Sequence, residues 1–535
     1  MRLKREGRSF AMQPKSGKNA RQEGEWLFRI LFVLFLAGGI GARVLRIGAI
    51  PSGVNQDEAF GAYEAYSLLT TGLDTSGYPF PVYLTPWGSG MSALNSYLMI
   101  PFIALFGFNV WAIRLPQMIV AVLSLVAAYD LTKRMAGRWA ALCGLFLMAI
   151  CPWHIFMSRW GLDANMAPGF LLFGLCFFLR GLDDHRFFLL SALTYGLSLY
   201  CYAAIWPFVP LMLLLQIGYA WWCRKLSFSG RNRVWIGLSV VVLFVLALPL
   251  LLFVLVNLGF LPEIRLPFLS IPRMPYMRIG EFDFSRIPEN AANLLDILLK
   301  QTDGHPWNAT ANFGMFYYIT PPFFLIGLYH CVRELAAGLH RREFRPLGFL
   351  VLQLAVAVLQ GISVLPNVNR VNSLWAVIVL LSAVGVWYLC SRIDRRSLIV
   401  PLIIYAGLFA WFERWYFIDY AHDSEQYFSG GLEQVLNVAA AREGTVCVSH
   451  DISYPCILFY SAQDPDEYRA TVRYTNYPWI YLDVERFGRF TFYFDASRPD
   501  RSQTYILDAN ADLGPFLEAG FTVETCGCYS VAYYE

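Results

Sequence analysis

Two adjacent carboxylates, Asp57 and Glu58, follow closely after the first hydrophobic segment of this 535-residue chain. A carboxylate at the edge of a lipid bilayer is costly to place there and usually has a function. One such function is general base catalysis on a membrane-bound substrate. A simpler interpretation also fits, in which Asp57 caps a helix that begins at Glu58 in a wet loop. These two residues alone favour the simpler interpretation, and the rest of the chain changes the balance.

Three further charged residues are candidates for the same site. Arg159 and Asp163 lie four residues apart between two hydrophobic segments, and Arg370 begins a later hydrophobic segment. Arg binds phosphate through a planar array of donors, so this combination of residues suits an anionic lipid headgroup. Each residue also has a structural alternative: Asp163 as a helix N-cap, Arg159 as a partner of Asp163 or a cation reaching the interface, and Arg370 as a structural cation.

The composition is that of a polytopic membrane protein with a soluble tail. Hydrophobic residues make up 57% of the chain and charged residues 15%, against about 25% charged residues in soluble domains. From Asp419 onward there are 7 Arg, no Lys and 18 acidic residues, a net charge of −11, whereas the preceding part carries +14. This asymmetry predicts a disordered cytoplasmic N-terminus (1–25), a transmembrane domain (26–417) and an extracytoplasmic domain (418–535).

The distribution of Lys and Arg predicts how the chain crosses the membrane, because basic loops stay on the cytoplasmic side. The apolar segment 91–107 is short, and Pro101 interrupts it. If this segment and residues 58–71 lie in the membrane interface and do not cross the bilayer, every basic cluster faces the cytoplasm. The chain then has its N-terminus inside and its tail outside. The eleven predicted spans, each near the ~20 residues that a bilayer requires, are 26–47, 109–132, 138–157, 164–182, 187–204, 206–223, 234–256, 316–334, 347–365, 371–390 and 398–417.

Several short motifs follow one another along residues 26–420 in a recognisable order. They are Asp57-Glu58, Gly72-Leu73-Asp74, Phe106-Gly107-Phe108-Asn109 with Arg114-Leu115-Pro116, and the turn Ser158-Arg159…Asp163. In their order and spacing they resemble glycosyltransferase family 39. This family contains the protein O-mannosyltransferases and the bacterial lipid A aminoarabinose transferase, within the GT-C superfamily. The resemblance does not extend to the tail.

The resemblance implies a GT-C fold, a polyprenyl-phosphate sugar donor, an extracytoplasmic active site and inversion at the anomeric carbon. It implies that Asp57 is the general base toward the acceptor hydroxyl or amine, and that Asp163 is a second acid of the site. Glu58 either orients Asp57 or the acceptor, or is a first-turn acid that suits the helix dipole. Arg370 and Arg159 are expected to bind the donor phosphate. The predicted acceptor is a lipid, a protein or a wall polymer; no nucleic acid and no cofactor are predicted, and a divalent ion on Asp57 and Glu58 is left open.

A transporter or flippase of a lipid-linked saccharide is the alternative function. It would also place arginines and acids near a phosphate headgroup. A transporter needs polar groups and broken helices near the bilayer midplane, whereas the predicted spans are nearly uncharged through their centres. This difference favours an enzyme. The chain has no Walker loop and no dinucleotide-binding fingerprint, so nucleotide chemistry is not indicated.

The tail alternates strand-like and helix-like patterns, which predicts a small α/β domain. Strands are predicted at 445–449, 456–460, 490–494, 504–507, 521–524 and 529–533, and helices at 426–441 and 513–519. Four cysteines in this part, Cys447, Cys456, Cys526 and Cys528, permit disulfides in an oxidising compartment. Their pairing is left open, with Cys447–Cys456 as the local choice.

Overall fold

Residues 17–423 form a bundle of apolar helices. The structure, a computed structural model, describes residues 17–228, 230, 232–277 and 283–535. The described helices of the bundle are α1 Gly17–Val44, α2 Gln56–Thr71, α3 Leu94–Phe106, α4 Val110–Ala136, α5 Arg138–Ile150, α6 Pro152–Met157, α7 Ala167–Gly181, α8 Phe187–Ser198, α9 Phe208–Trp222, α10 Asn232–Asn257, α11 Ile287–Lys300, α12 Thr320–Arg341, α13 Gly348–Ser363, α14 Asn372–Ile393 and α15 Ile399–Asp423. Two hairpins lie in its loops, β1 Tyr83–Leu84 with β2 Met91–Ser92 and β3 Ile264–Leu266 with β4 Leu269–Ile271.

Each of the eleven predicted spans contains at least one helix of the bundle. Within the described residues, seven helices are long and apolar enough to cross a membrane by length and composition. Four more are shorter apolar helices, among them α3, which has Pro101 inside it. The chain is therefore a multi-pass membrane protein. The number of crossings, the orientation and the interfacial position of α3 stay predictions.

Several boundaries differ from the prediction, among them those of α1, α5 and α15. Helix α1 begins at Gly17, so residues 17–25 are helical and continuous with the first span, whereas residues 1–16 lie outside the described residues. The predicted span 138–157 is two helices, because Pro152 cannot donate the hydrogen bond that would continue α5. Helix α15 continues past residue 417 to Asp423, since its buried face extends through Tyr420.

Helix α14 is the centre of the bundle, and it is buried along most of its length. It packs against α12 backbone to backbone: a Cβ added at Gly327 would lie 1.8 Å from the Leu381 carbonyl oxygen, and one at Gly385 would lie 1.9 Å from that of Phe323. Only glycine permits this approach. The contact fixes the position of α14, which begins at Asn372, two residues after Arg370.

Residues 424–535 form an α/β domain on top of the first loop of the bundle. Its helices are α16 Leu432–Ala440, α17 Tyr454–Ser461, α18 Pro465–Thr471 and α19 Gly514–Glu518, and its strands are β5 Val446–Val448, β6 Arg473–Tyr474, β7 Val484–Phe487, β8 Phe490–Thr491, β9 Thr504–Asp508, β10 Thr522–Cys526 and β11 Tyr529–Tyr533. The sheet order is β10-β11-β9-β5-β8-β7-β6. Strand β5 is parallel to β8 and β9, and the other pairs are antiparallel.

Five of the six predicted strands are present in this domain, and both predicted helices are found in shortened form. The strand predicted at 456–460 is wrong, since these residues belong to α17. Pro455 occupies the first turn of that helix, and residues 454–459 are all buried, where α17 packs on α2 and α16. A short run that is apolar on every side has no period by which to distinguish helix from strand.

The cysteines form no disulfide. All eleven lie within the described residues, and every thiol is free. Cys447 donates to Gln503 Oε1 (2.9 Å), while the Cys456 sulfur lies 3.9 Å from the Val54 carbonyl oxygen. The Cys447–Cys456 pairing is therefore not formed, because the two side chains are held by different neighbours.

Candidate active site

Asp57, Asp163 and Arg370 line one cavity of about 640 Å³. They belong to three separate parts of the chain: the start of α2, the turn before α7 and the loop before α14. Such a volume is typical of a ligand site. The cavity also has an aromatic lining, which consists of Tyr83, Trp87, Tyr202, Trp206, Phe253 and Tyr481.

Asp57 lies in the first turn of α2, where an acid suits the positive end of the helix dipole. The N-cap is Asn55, whose side-chain oxygen accepts from the Asp57 backbone N–H (3.1 Å). The interpretation of Asp57 as the cap is therefore wrong. Its carboxylate is half-buried and contributes to the cavity wall.

Glu58 points away from the cavity. Its carboxylate accepts from Arg114 Nε (2.9 Å) and Nη2 (3.0 Å) and from the Gly161 backbone N–H (2.7 Å). The Glu58 and Arg114 side chains have no exposed surface. Glu58 thus lies in the first turn of α2, as one of its two interpretations predicted, and its carboxylate joins α2, α4 and the turn before Asp163; a direct catalytic role for it stays a prediction.

Arg114 completes this junction, and it is a residue whose importance the sequence analysis did not single out. All five of its N–H donors are used, two on Glu58 and three on backbone carbonyls of the segment between α1 and α2. Its guanidinium also lies over the Phe428 ring of the C-terminal domain, 6.0 Å from the centroid. The sequence did contain an indication of this role, because Arg114 belongs to the Arg114-Leu115-Pro116 motif inside a predicted span, where a cation has to be paired.

Arg159 is not a phosphate ligand in this structure. It is fully buried and does not line the cavity. Its guanidinium donates to the carbonyl oxygens of Ala42 (2.8 Å), Leu45 (2.7 Å) and Ile50 (3.0 Å). These carbonyls lie at and just beyond the end of α1, where they lack helical partners. The predicted phosphate role of Arg159 is therefore corrected to capping of α1.

Asp163 faces the cavity from the start of a short 3-10 helix that leads into α7. Its side chain is 6% exposed. One carboxylate oxygen accepts from the Ala164 backbone N–H (2.7 Å) and the other from the Ser92 N–H (3.0 Å), whereas the N-cap of the 3-10 helix is Leu162 and that of α7 is Met166. Asp163 thus fixes β2 of the first loop to the start of α7 and forms part of the cavity wall, and the interpretation of Asp163 as a helix N-cap is wrong.

Arg370 is half-buried in the loop between α13 and α14 and lines the cavity. Asn367 accepts from its backbone N–H (2.7 Å), and Gln360 donates to its carbonyl oxygen (2.7 Å). Two residues later, Asn372 donates to the side chain of Asn165 (3.2 Å). This network holds the Arg370 loop beside the Asp163 turn.

No metal site is evident in the part of the chain that the structure describes. Among those residues, no group of three or more His, Cys, Asp and Glu side chains could hold an ion. Asp57 and Asp163 are the acids that line the cavity. The neighbouring Glu58 does not contribute to it, since its carboxylate is paired with Arg114.

Known proteins share this arrangement of helices. The family described as dolichyl-phosphate-mannose-protein mannosyltransferase matches residues 92–254. The crystal structure of ArnT from Cupriavidus metallidurans bound to undecaprenyl phosphate is 14% identical, with a TM-score of 0.57 and coverage of 94% of this chain and 97% of that one. Its apo state is 13% identical, with a TM-score of 0.55 and coverage of 96% and 98%.

A more distant likeness is to the Archaeoglobus fulgidus oligosaccharyltransferase in complex with Zn and sulfate, which is 15% identical with a TM-score of 0.51. The match covers 81% of this chain and 61% of that one. No curated protein sequence matches this chain. The chain shares the fold of ArnT along nearly its whole length, and residues 92–254 match the mannosyltransferase family model, in agreement with the GT-C fold that the resemblance implied.

Proposed function

We propose that this protein transfers a sugar from a polyprenyl-phosphate donor to an acceptor at the outer face of the membrane. One observation supports this most strongly: Asp57, Asp163 and Arg370, far apart in sequence, line the same cavity. Two acids and one guanidinium suit a reaction in which a hydroxyl or amine attacks and a phosphate leaves. The GT-C fold adds support, since ArnT shares it in a structure bound to undecaprenyl phosphate.

In the proposed reaction, Asp57 is the general base. The acceptor hydroxyl or amine gives its proton to Asp57 while its lone pair forms a bond to the anomeric carbon. The bond from that carbon to the phosphate oxygen breaks, and the oxygen keeps the electron pair. Attack opposite to the leaving group inverts the anomeric centre.

Arg370 stabilises the phosphate charge that develops as the bond breaks, because a fixed cation in a partly dry cavity interacts strongly with a developing anion. The leaving phosphate needs no protonation, since it departs as a stabilised anion. Asp163, held by the Ser92 and Ala164 N–H groups, has a fixed carboxylate with which to orient the acceptor. Glu58 and Arg159 act through the backbone that they position.

The substitution Asp57→Asn tests this function in purified full-length protein. Lipids that co-purify with the protein are first extracted, and mass spectrometry identifies the polyprenyl phosphate and the sugar attached to it, so that this glycosylated lipid serves as the donor in a transfer assay. Asp57→Asn is expected to lower the transfer rate by about 10²–10⁴-fold while the affinity for the polyprenyl phosphate is retained. The matched control is Asp296→Asn, which changes an exposed helical aspartate that is paired with Lys300 in α11. Undiminished turnover in Asp57→Asn would remove that residue from the mechanism.

A further inference from the structure

One segment of the C-terminal domain reaches the cavity. Residues 477–482, which we call the aromatic segment, connect β6 and β7 at one edge of the sheet, and Tyr481 lines the cavity. Tyr481 pairs with Gly88 in an antiparallel bridge, and the Leu482 N–H donates to the Trp87 carbonyl oxygen (2.7 Å). A Cβ at Gly88 would lie 2.3 Å from the Trp479 carbonyl oxygen. This close contact fixes the aromatic segment against the first loop of the bundle.

The aromatic segment presents three large rings to its surroundings. Tyr477, Trp479 and Tyr481 are 63%, 58% and 53% exposed. Exposed rings contribute less hydrophobic stabilisation to the domain than buried rings would, and here three lie within five residues. Such concentrations of exposed apolar surface mark binding sites. The backbone contact with Gly88 holds the rings in place, so a ligand would not have to order them.

Two hydrogen-bonding groups beside this segment lack partners. Trp87 Nε1 and Ser89 Oγ are buried and have no hydrogen-bond partner among the described residues, and both residues line the cavity. Ser89 is only 3% exposed. The Trp87 ring is itself fixed between Phe60, Tyr454 and Tyr481, at centroid distances of 5.2, 5.5 and 6.4 Å. A buried donor without an acceptor is costly, so these groups are suited to a ligand that supplies hydrogen-bonding oxygens.

From these observations we infer that the aromatic segment, Trp87 and Ser89 form a subsite for a carbohydrate acceptor. A sugar ring has C–H faces that pack on aromatic rings and hydroxyl oxygens that accept from indole N–H and serine O–H donors. An acyl chain would cover the rings but would leave both donors unpaired. The subsite continues into the cavity wall that contains Asp57, so a bound saccharide is presented to the general base. This inference rests on the proposed function and names its acceptor class.

The experiment uses saturation-transfer NMR on full-length protein in detergent. The probes are chitohexaose, mannohexaose, cellohexaose and a Ser/Thr-rich peptide of similar mass. At least one hexasaccharide is expected to bind the wild-type protein, and Trp479→Ala and Tyr481→Ala are each expected to weaken that binding by about tenfold. Trp479→Phe, which keeps an aromatic ring, is expected to retain most of it.

The matched control is Tyr534→Ala. Tyr534 is 42% exposed and follows β11, toward the opposite edge of the same sheet, so its loss is expected to leave saccharide binding unchanged. The inference is overturned if no hexasaccharide binds, if the peptide binds in their place, or if binding survives both Trp479→Ala and Tyr481→Ala. It is also overturned if these variants lose only their association with phospholipid vesicles, because the rings would then be a membrane anchor.

Binding of undecaprenyl phosphate to the same variants separates this inference from the proposed function. Trp479→Ala is expected to bind the lipid as the wild-type protein does, because Trp479 does not line the cavity that contains Arg370. If the wild-type protein binds a hexasaccharide but no polyprenyl phosphate, the proposed donor is wrong while the carbohydrate subsite stands. If it binds the lipid but no saccharide, only the subsite is wrong.

Discussion

Glu58→Gln is the substitution that most directly tests the division of roles between the two neighbouring acids. Glu58 and Arg114 form a fully buried ion pair through two N–H···O contacts of 2.9 and 3.0 Å. The substitution removes the negative charge and leaves the guanidinium buried, with its three remaining donors on backbone carbonyls. The third contact of the carboxylate, from the Gly161 N–H, is weakened too, because a neutral amide oxygen is a poorer acceptor.

Breaking a buried pair by removal of one partner costs about 3–5 kcal/mol, a large part of the roughly 5–15 kcal/mol by which a domain is stable. We therefore expect the thermal unfolding midpoint of Glu58→Gln in detergent to fall well below that of the wild-type protein. Asp57→Asn, one residue earlier and half-buried at the cavity, is expected to unfold close to the wild-type temperature. Arg114→Met is expected to lower the midpoint as well, because it leaves the Glu58 carboxylate buried without its partner and three backbone carbonyls without their donor.

The transfer assay completes the comparison at a temperature where both single variants are folded. Glu58→Gln is expected to retain transfer, whereas Asp57→Asn is expected to lose it. The reasoning is refuted if Glu58→Gln has wild-type stability and no transfer, since Glu58 would then take part in the chemistry. It is also refuted if both Glu58→Gln and Arg114→Met unfold at the wild-type temperature, since the buried pair would then not stabilise the protein.

Three further predictions concern the donor, pH and the thiols. Arg370→Ala is expected to weaken undecaprenyl-phosphate binding about 10- to 100-fold, as expected for loss of a charged hydrogen bond; an unchanged affinity would make Arg370 a structural cation. Burial, followed by the Asp74 charge, raises the pKa of Glu64 from 4.5 to about 8, so the folded protein binds this proton more tightly and its stability falls as pH rises between those values. In Glu64→Gln the unfolding midpoint is expected to depend less steeply on pH over this range. An unchanged pH dependence would contradict the raised pKa of Glu64. Alkylation after non-reducing denaturation is expected to label Cys447 and Cys456 fully, whereas a peptide that joins them in mass spectrometry would show a disulfide.

The helical part of the fold was predictable because its signal is local and repeated. A segment of about 20 apolar residues has few alternatives in a bilayer, and each predicted span contains a helix. The errors fall where local signals are weak. Pro152 divides one predicted span into α5 and α6. In the tail, residues 454–461 form a helix because their buried surroundings, and not a hydrophobic period, decided between helix and strand.

The candidate site was predictable to a lesser degree. The sequence indicated that Asp57, Asp163 and Arg370 belong to one site, and the structure places all three on one cavity. The sequence could not indicate that Arg159 donates to the backbone carbonyls at the end of α1. Those carbonyls belong to residues more than 100 positions earlier in the chain. For the same reason it missed the contribution of the C-terminal domain, whose contact with the first loop joins residues nearly 400 positions apart.

By itself the sequence determined the class of protein, the order of its helices and the types of charged residue available for catalysis. Only the tertiary structure decided which of those residues face the cavity. Asp57 and Glu58 show why: adjacent side chains on a helix diverge by about 100°, so one lines the cavity while the other meets Arg114. Composition and spacing specify which groups exist, but the direction of each group depends on distant partners that only the folded chain brings together.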